Sequence, residues 1–319
     1  MIQNFCKQIA RKIVRGNRLF HRIVNFHQHS AHPVKAVVFM LYAWPVKNLI
    51  RLDTPREIIN SENYYHELHK LLRIEKVEDF ELSRVGRNYD GGYIMLNDFH
   101  DGGIAYSFGI SDDVSWDKDM VSRGYDVFMY DHTIDGLPEE NSRFHWFKLG
   151  IADGIIQDDS LKTLEELIAQ NHHENEHGMI LKMDVEGAEW GFLSSVSPEI
   201  LKQFDQINIE FHGLITNNNP EQVLAALRKI NTTHQLIHIH ASTNEIVNYY
   251  ISVGGKKFCN LLETSYVLRS KYNFTENYDV NLPLSIDAPN DPNIKEIELG
   301  HWNRELDRYD IASINIMDL

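Results

Sequence analysis

Three carboxylates follow an apolar run in the stretch MILKMDVEGAEWGFL, residues 179–193. Asp184, Glu186 and Glu189 lie close together at the point where a hydrophobic strand would end. Acidic side chains beside a buried strand are costly unless a ligand, a cation or a hydrogen-bond donor uses them. The spacing therefore leaves two interpretations. The stretch is either a solvated turn whose glutamates favour the dipole of the next helix, or the floor of an active site.

Two further strand-like runs end in residues that could take part in proton transfer. NIEFHGL carries Glu210 and His212, and HIHAS carries His238 and His240. Residues two apart share one face of a strand. Together with Asp184 they could supply a general base near neutral pH, or ligands for a hard divalent cation. The chain contains 17 His, so any single one could equally be a surface or packing residue.

The elements that would position these residues alternate between apolar runs and helical patterns, which predicts an α/β fold. We expect a doubly wound, Rossmann-like arrangement with a seven-stranded, mostly parallel sheet and helices on both faces. The last two strands have no strong helix between them, which predicts an antiparallel pair at the sheet edge. The predicted strands are 104–109, 125–130, 144–149, 178–183, 206–211, 234–240 and 261–269, and the helical patterns lie near 115–123, 160–170, 188–203 and 219–230.

In an open α/β sheet a ligand binds outside the carboxyl ends of the strands. The first strand leads into SFGISDDVSWD, where Gly109 allows close backbone approach and Ser111 and Asp112 lie in the turn. One glycine is not the GxGxxG phosphate fingerprint. The acidic turn would repel a pyrophosphate but tolerate a ligand with a cationic amino group. Asp131 ends the second strand about 20 residues further on, where it is placed to bind ribose hydroxyls.

Composition and charge restrict the partners. Hydrophobic residues make up 43% and charged residues 24%, as in soluble globular proteins, and the net charge of −15 argues against nucleic acid. Residues 1–52 carry nine Lys or Arg and no Asp or Glu, so the remainder carries −24. Cys6 and Cys259 form neither a disulfide framework nor a metal-type spacing, which fits a reducing, cytoplasmic setting.

The basic N-terminal segment, residues 1–52, is amphipathic, with apolar residues from Ile2 to Ile13 on one helical face. This pattern suits packing on the acidic body, a homo-oligomer contact, or peripheral contact with the inner membrane face. A mitochondrial presequence has a similar pattern. No run of about 18 apolar residues is present, so a spanning helix is not expected. A helical lead-in is predicted over 53–79, with Ser61 as an N-cap.

The motif KMDVEGAEW resembles the KxDVEGAE signature of FkbM-type methyltransferases, a branch of the class I enzymes that use S-adenosylmethionine (SAM). The resemblance implies a SAM-dependent methyltransferase domain, which we place at 80–272, and methyl transfer to an oxygen of a sugar or polyketide. Residues 273–319 are expected to form an irregular extension packed on this domain. Further blocks resemble a bacterial subgroup in the same order: RVGRNYDGGYIM, YSFGISDDVSWD, YDHT, KLGIAD, IEFHGL, HIHAS, LLETSYVLR and DAPNDPN.

Carried over by position, the resemblance assigns a cofactor pocket to the ends of the first three strands. Gly109 and the turn after it would face the methionine part of SAM. Asp131 and His132 would lie at the ribose, and Gly150 with Ile151 at the adenine.

The sequence departs from the family pattern at three places. The usual turn has a second glycine where this chain has Asp113, and an acidic residue often ends the first strand where this chain has Ser107. After HIH the subgroup more often has Asn, whereas this chain continues Ala-Ser-Thr-Asn over 241–244. The first two departures concern the methionine contacts and the third concerns the acceptor.

Together these observations predict a SAM-dependent O-methyltransferase acting on a carbohydrate or a nucleotide-activated sugar, in surface polysaccharide biosynthesis. Asp184 would lie where cofactor and acceptor meet. His212 or His240 would be the base, and Glu210 would orient it. A divalent cation held by Asp184, Glu210 and His212 is an alternative. Two rival hypotheses are a catalytically inactive partner protein with a SAM fold, and another α/β enzyme that modifies nucleotide sugars.

Overall fold

The computed structural model describes residues 62–152, 158–243, 249–275, 278–306 and 311–316. The basic segment 1–52 and the predicted N-cap Ser61 lie outside the described residues, so the expectations for them stay predictions. The described residues belong to one compact unit, Glu57–Leu319. None of the helices formed by these residues is long and apolar enough to cross a membrane.

Three of the described helices begin at a side-chain cap: Thr163, Ser197 and Asn219. Thr163 accepts a hydrogen bond from the backbone of Glu166, whose side chain returns to the backbone of Thr163, a capping box. The predicted helix 188–203 is in fact two helices, because Ser197 caps a new one that begins at Pro198. The helices are α1 Glu62–Leu71, α2 Ser115–Ser122, α3 Leu164–Gln170, α4 Glu189–Ser195, α5 Pro198–Leu201 and α6 Pro220–Ile230.

All seven predicted strands form one sheet, with the order β11-β14-β10-β9-β4-β5-β6. Only β14 runs antiparallel to its neighbours. The strands are β1 Lys76–Val77, β2 Leu82–Val85, β3 Tyr93–Leu96, β4 Ile104–Phe108, β5 Asp126–Tyr130, β6 Phe144–Phe147, β7 Gly150–Ile151, β8 Leu161–Lys162, β9 Met179–Met183, β10 Phe204–His212, β11 His234–Ala241, β12 Tyr249–Val253, β13 Lys256–Cys259, β14 Leu261–Leu268, β15 Phe274–Thr275, β16 Asn281–Leu282, β17 Gly300–His301 and β18 Ile311–Ile316.

The order of the strands reverses between β4 and β9. From β4 the chain moves outward through β5 to β6, and it returns on the other side of β4 as β9. The carboxyl ends of β4 and β9 therefore form the switch point at which such sheets bind ligands. Gly109 follows β4 with a φ of 76°, and a Cβ there would overlap the carbonyl oxygen of Asp184. Only glycine lets these two strand ends approach so closely.

At one edge of the sheet, the pairing of the last two strands confirms the prediction, but their order is one that the sequence did not specify. β11 and β14 are antiparallel, as expected, but β14 lies between β10 and β11. The predicted antiparallel pair therefore does form one edge of the sheet, with β11 outermost. The extension after residue 272 is also more regular than expected, because β18 pairs with β12.

Two segments outside the sheet complete its core. The β2–β3 hairpin packs on β10, since the side chain of Gln206 bonds both polar groups of the Leu96 backbone. In the extension, Trp302 is fully buried and donates to the carbonyl of Leu72. The hairpin and the extension thus both pack against the rest of the domain, and some of their residues lie beside the site.

Candidate active site

The turn between β9 and α4 holds the three carboxylates of the opening motif. Glu186 has a φ of 55°, a left-handed conformation uncommon for a residue other than glycine, and Gly187 follows at 101°. Glu189 is fully buried, and its Oε1 accepts hydrogen bonds from the backbone N–H of Val185, at 3.2 Å, and of Gly187, at 3.1 Å. The buried glutamate therefore stabilises a strained turn from its inner side and leaves Asp184 at the strand end.

The same Glu189 oxygen positions a histidine from the neighbouring strand. His212, at the end of β10, places its Nδ1 3.0 Å from Glu189 Oε1. Its carbonyl accepts from Trp190 Nε1 at 2.7 Å. The other ring nitrogen, Nε2, lies 3.4 Å from Glu186 and 3.9 Å from Asp184. Nδ1 thus contacts the buried Glu189, and Nε2 faces Glu186 and Asp184 at the carboxyl ends of the strands.

The surroundings of His212 favour its charged form. Burial alone would lower the pKa of the imidazole. Glu189, through its charge and its hydrogen bond, and then Glu210 and Glu186, raise that pKa well above its ordinary value. His212 therefore holds a proton at neutral pH until another positive charge or a rise in pH removes it.

Glu210 precedes His212 by two residues in β10 and is only 6% exposed. Burial first, and then the charge of Asp184, raise its pKa well above the ordinary value. Within the described ranges, its carboxylate forms neither a hydrogen bond nor an ion pair. Glu189, and not Glu210, accepts the hydrogen bond of His212 Nδ1, so an orienting role for Glu210 stays a prediction.

The structure brings together Asp184, Glu210 and His212, which we call the carboxylate–imidazole cluster. One potential ligand atom from each residue lies within 4.8 Å of the others. These are the three residues that the sequence offers as a metal-binding set. The group can accept hydrogen bonds from hydroxyls, exchange protons, or hold a cation.

Further residues beside the cluster come from segments to which the sequence assigned no role. Tyr93 donates to Asp184 Oδ2 at 3.4 Å. Asn290, in the extension, donates to Glu263 at 2.6 Å and to Asp90 at 3.4 Å. Burial, and then the charges of Asp184 and Glu263, raise the pKa of Asp90 to about 6. The blocks RNYDGGY and DAPNDPN contained the signal, but nothing local tied them to these strand ends.

His240 does not fit the predicted role of base. Its Nδ1 lies 2.9 Å from Glu263 and its Nε2 lies 2.9 Å from Glu296, and the ring is almost fully buried. Burial alone would lower the pKa of His240, but the two carboxylates raise it to about 10. Both ring nitrogens of His240 are therefore already bonded to carboxylates, and neither is left to face a substrate. His238 is likewise buried and pairs with Asp287 at 3.2 Å.

Asp131 organises the turn that follows β4. Its Oδ2 accepts from the backbone N–H of Ile110 and Ser111, both at 2.9 Å. Its Oδ1 accepts from the backbone N–H of Thr133 at 2.8 Å and from the hydroxyl of Thr133 at 2.6 Å. Burial would raise the pKa of Asp131, but the donors at Ser111, Thr133 and Ile110 lower it. Four donors fill the acceptor sites of a carboxylate, so ribose binding by Asp131 stays a prediction and would need Thr133 to give way.

The other residues assigned to the cofactor lie at the expected strand ends. Ser111 and Asp112 are exposed in the turn after β4, and His132 is exposed after β5. A Cβ on Gly150 would overlap Nδ1 of His132, so the third strand end lies against the second. Ile151 is mostly buried beside Gly150, in β7. Their contacts with ribose and adenine remain predictions.

The turn after β4 is closed by a residue that departs from the family pattern. Asp113 forms an ion pair with Arg87, at 3.2 Å, and accepts from the hydroxyl of Ser115 at 2.7 Å. On its inner side, the buried Lys182 donates to the carbonyl of Gly109 at 2.8 Å. The two cations that reach this turn are thus already bound to protein oxygens. The turn suits a positively charged ligand better than a phosphate.

The sheet order, with its single antiparallel strand and its site at the switch point, defines a Rossmann-like α/β protein of the class I methyltransferase type. The family model described as the methyltransferase FkbM domain matches residues 74–239, more than half of the chain. The chain belongs to this family, which confirms the resemblance of the KMDVEGAEW motif. Members of the family are methyltransferases, and SAM is in general their methyl donor.

Comparisons with other proteins add only distant likenesses. A proposed RNA methyltransferase from Pyrococcus horikoshii is 11% identical with a TM-score of 0.30, over 53% of this chain and 75% of that chain. A proposed hemolysin from Streptococcus thermophilus is 11% identical with a TM-score of 0.29, over 56% of this chain and 71% of that chain. No curated protein matches the chain. At these TM-scores neither likeness bears on the substrate.

Proposed function

We propose that this methyltransferase transfers the methyl group of SAM to a hydroxyl of a carbohydrate or a nucleotide-activated sugar, in surface polysaccharide biosynthesis. The observation that carries the proposal is the position of His212. Glu189 fixes its ring so that Nε2 faces Asp184, directly across the switch point from the Gly109 turn. A group suited to proton exchange thus lies beside the turn where the family binds its methyl donor.

The residues after β4 fit SAM on chemical grounds. The turn at Gly109 leaves no room for a side chain, and Asp112 is exposed beside it. Arg87 and Lys182 are bound to protein oxygens, so they do not attract a phosphate. Gly109, Ser111 and Asp112 would hold the methionine part of SAM. When bound, SAM supplies a methyl group activated by the positive charge on its sulfur.

A hydroxyl acceptor explains the remaining groups. An alcohol is a poor nucleophile unless its proton is removed as the new bond forms. The carboxylate–imidazole cluster accepts that proton, either through the carboxylate of Asp184 or through His212, the member predicted from the sequence, once His212 has lost its own proton. Carboxylate oxygens also bind the hydroxyls of a sugar as hydrogen-bond acceptors. The −24 carried outside residues 1–52 supports a carbohydrate rather than a nucleic acid.

The test is incubation of the full chain with methyl-labelled SAM and a panel of nucleotide sugars and free glycans. Label should enter an ether on one sugar and be absent when the panel is omitted. Calorimetry with SAM separates the rival hypotheses. Binding of SAM with transfer to a non-carbohydrate acceptor would refute the carbohydrate proposal. The absence of binding at millimolar SAM would favour an inactive partner protein.

A further inference from the structure

Glu210 is a buried carboxylate near the end of β10. It is 6% exposed, and the part of the chain that the structure describes gives it neither a hydrogen bond nor an ion pair. Removing a charge from water without a partner is costly. A buried acid that points into a cluster of other ligand atoms is therefore expected to meet something that the protein alone does not contain.

The neighbouring strand shows how this sheet satisfies a buried glutamate when it does so by itself. Glu263, in β14, lies directly opposite Glu210 and also opposite His240 in β11. Its two oxygens accept from His240, at 2.9 Å, and from Asn290, at 2.6 Å. Two like charges opposite each other in a sheet are destabilising. Each oxygen of Glu263 therefore has a donor within the protein, whereas the described residues donate no hydrogen bond to Glu210.

The geometry around Glu210 suits a metal ion. A carboxylate oxygen of Asp184, one of Glu210 and a ring nitrogen of His212 lie within 4.8 Å of one another. Adjacent ligands of an octahedral ion with bonds of about 2.1 Å lie about 3 Å apart, so side-chain rotations of modest size would close the set. Two carboxylates and one imidazole suit Mg²⁺ or Mn²⁺ and leave positions for water or substrate.

An independent feature, the outer support of the histidine, points the same way. His212 Nδ1 contacts Glu189, which is fully buried and fixed by two backbone N–H groups. Histidines that bind metals usually give their other ring nitrogen to such a carboxylate, which fixes the ring and strengthens the ligand. In this arrangement Nε2 is the nitrogen left for a cation.

We propose that Asp184 Oδ, Glu210 Oε and His212 Nε2 bind one Mg²⁺ or Mn²⁺ ion, and that this ion binds the acceptor through one hydroxyl or two adjacent hydroxyls. The claim that the ion binds the acceptor rests on the proposed function. The ion takes the place of the proton on Nε2 and offsets the charge of Glu210. It polarises the acceptor hydroxyl, so a weak base such as a carboxylate or water suffices to take the proton. The methyl group then passes from sulfur to that oxygen, and the sulfur leaves as a neutral thioether.

The site is tested by binding, without SAM or acceptor. The full chain is treated with a chelator, dialysed and titrated with Mn²⁺, followed by electron paramagnetic resonance and calorimetry. We expect one ion per chain, with Mg²⁺ competing. Glu210→Gln should weaken Mn²⁺ binding at least a hundredfold, and His212→Gln should weaken it clearly as well. Asp117→Asn removes a buried acid outside the cluster and should bind as the wild type does.

The outcomes separate this inference from the proposed function. Absence of Mn²⁺ and Mg²⁺ binding at millimolar concentration would overturn the site, as would equal affinity in Glu210→Gln and the wild type. Methyl transfer that persists in excess chelator would overturn the site and leave the proposed function standing. Mn²⁺ binding without transfer to any hydroxyl would support the site and overturn its role in holding the acceptor.

Discussion

His212 and His240 end neighbouring runs of the sequence, and both lie beside carboxylates, but their environments differ. His240 has a carboxylate at each ring nitrogen, Glu263 and Glu296, and is almost fully buried. His212 has one nitrogen bonded to Glu189 and the other turned toward the edge of the sheet. We call the arrangement of His240 closed, because both ring nitrogens are hydrogen-bonded to carboxylates, and that of His212 open, because only Nδ1 is.

This difference separates a structural histidine from one suited to chemistry. In the closed arrangement every charge has a partner inside the protein, so nothing is left to exchange with a substrate. In the open arrangement the support fixes the ring, and Nε2 faces Asp184 at the switch point. Residue type and distance from a strand end are the same in both cases. What distinguishes them is the second nitrogen: that of His240 is hydrogen-bonded at 2.9 Å, whereas that of His212 has only longer ionic contacts, 3.4 Å to Glu186 and 3.9 Å to Asp184.

The largest effect is expected from His212→Ala. If His212 exchanges a proton or binds a cation, methyl transfer should fall by a factor of about 10² to 10⁴ while SAM affinity stays nearly unchanged. The measurement pairs initial rates with SAM calorimetry. Lys271→Met, which removes an exposed ion pair with Asp205, serves as a control that should keep its activity. A His212→Ala enzyme within threefold of the wild type would remove His212 from the chemistry.

The next effect concerns stability rather than rate. His240→Ala removes the cation from a buried set that includes Glu263 and Glu296. Breaking a buried ion pair in this way should lower the free energy of unfolding by about 3–5 kcal/mol. Urea denaturation measures the change. His145→Ala, which removes a half-exposed pair with Asp126, should cost under about 1 kcal/mol. Equal losses in the two variants would show that His240 is not a structural centre.

A smaller effect is expected from Glu189→Gln. The amide keeps the size of the side chain and can still bond the turn, but it no longer favours the charge on His212. Loss of such an outer partner typically reduces activity by about 10–100-fold. The pH–rate profile should also shift, since Glu189 raises the pKa of His212. An unchanged profile would mean that Glu189 supports the turn alone.

The strands and the opening turn could be predicted because their signals are local. Apolar runs bounded by turn residues placed all seven strands of the sheet, and the acidic motif led to Asp184. Glu189 was assigned to the helix by its spacing, whereas the fold also brings it against His212. That contact joins the first residue of helix α4 to the last residue of strand β10, and it has no local sign in the sequence.

The order of strands at the edge could not be predicted, and this affected the site. The antiparallel pair lies at the edge as expected, but the sequence did not predict its order: β14 lies between β10 and β11 and carries Glu263 to His240. The inserted strand adds one strand spacing, so β11, which carries His240, lies three spacings, about 14 Å, from β9, which leads to Asp184. Asp90 and Asn290 were missed for a related reason. They reach the site from a hairpin loop and from the extension, through contacts between residues far apart in the chain.

The smallest effect is a dependence of stability on pH that belongs to His240. Its pKa is about 10 in the folded protein and about 6.5 in the unfolded chain. A raised pKa means that the folded state binds the extra proton. The stabilisation is therefore fully present below about pH 6.5 and is lost as the pH rises through 10. The free energy of unfolding should fall by about 1 kcal/mol per pH unit between pH 7 and 10.

His240→Gln isolates this contribution, because the amide does not titrate and should remove most of the slope. His212→Gln leaves the closed set intact and should keep the part of the slope that belongs to His240, losing only the part that the raised pKa of His212 itself contributes. Denaturation curves at several pH values measure the slope in the three proteins. A slope that survives in His240→Gln but disappears in His212→Gln would reverse the comparison, since the proton that stabilises the fold would then be held by the open histidine and not by the closed one.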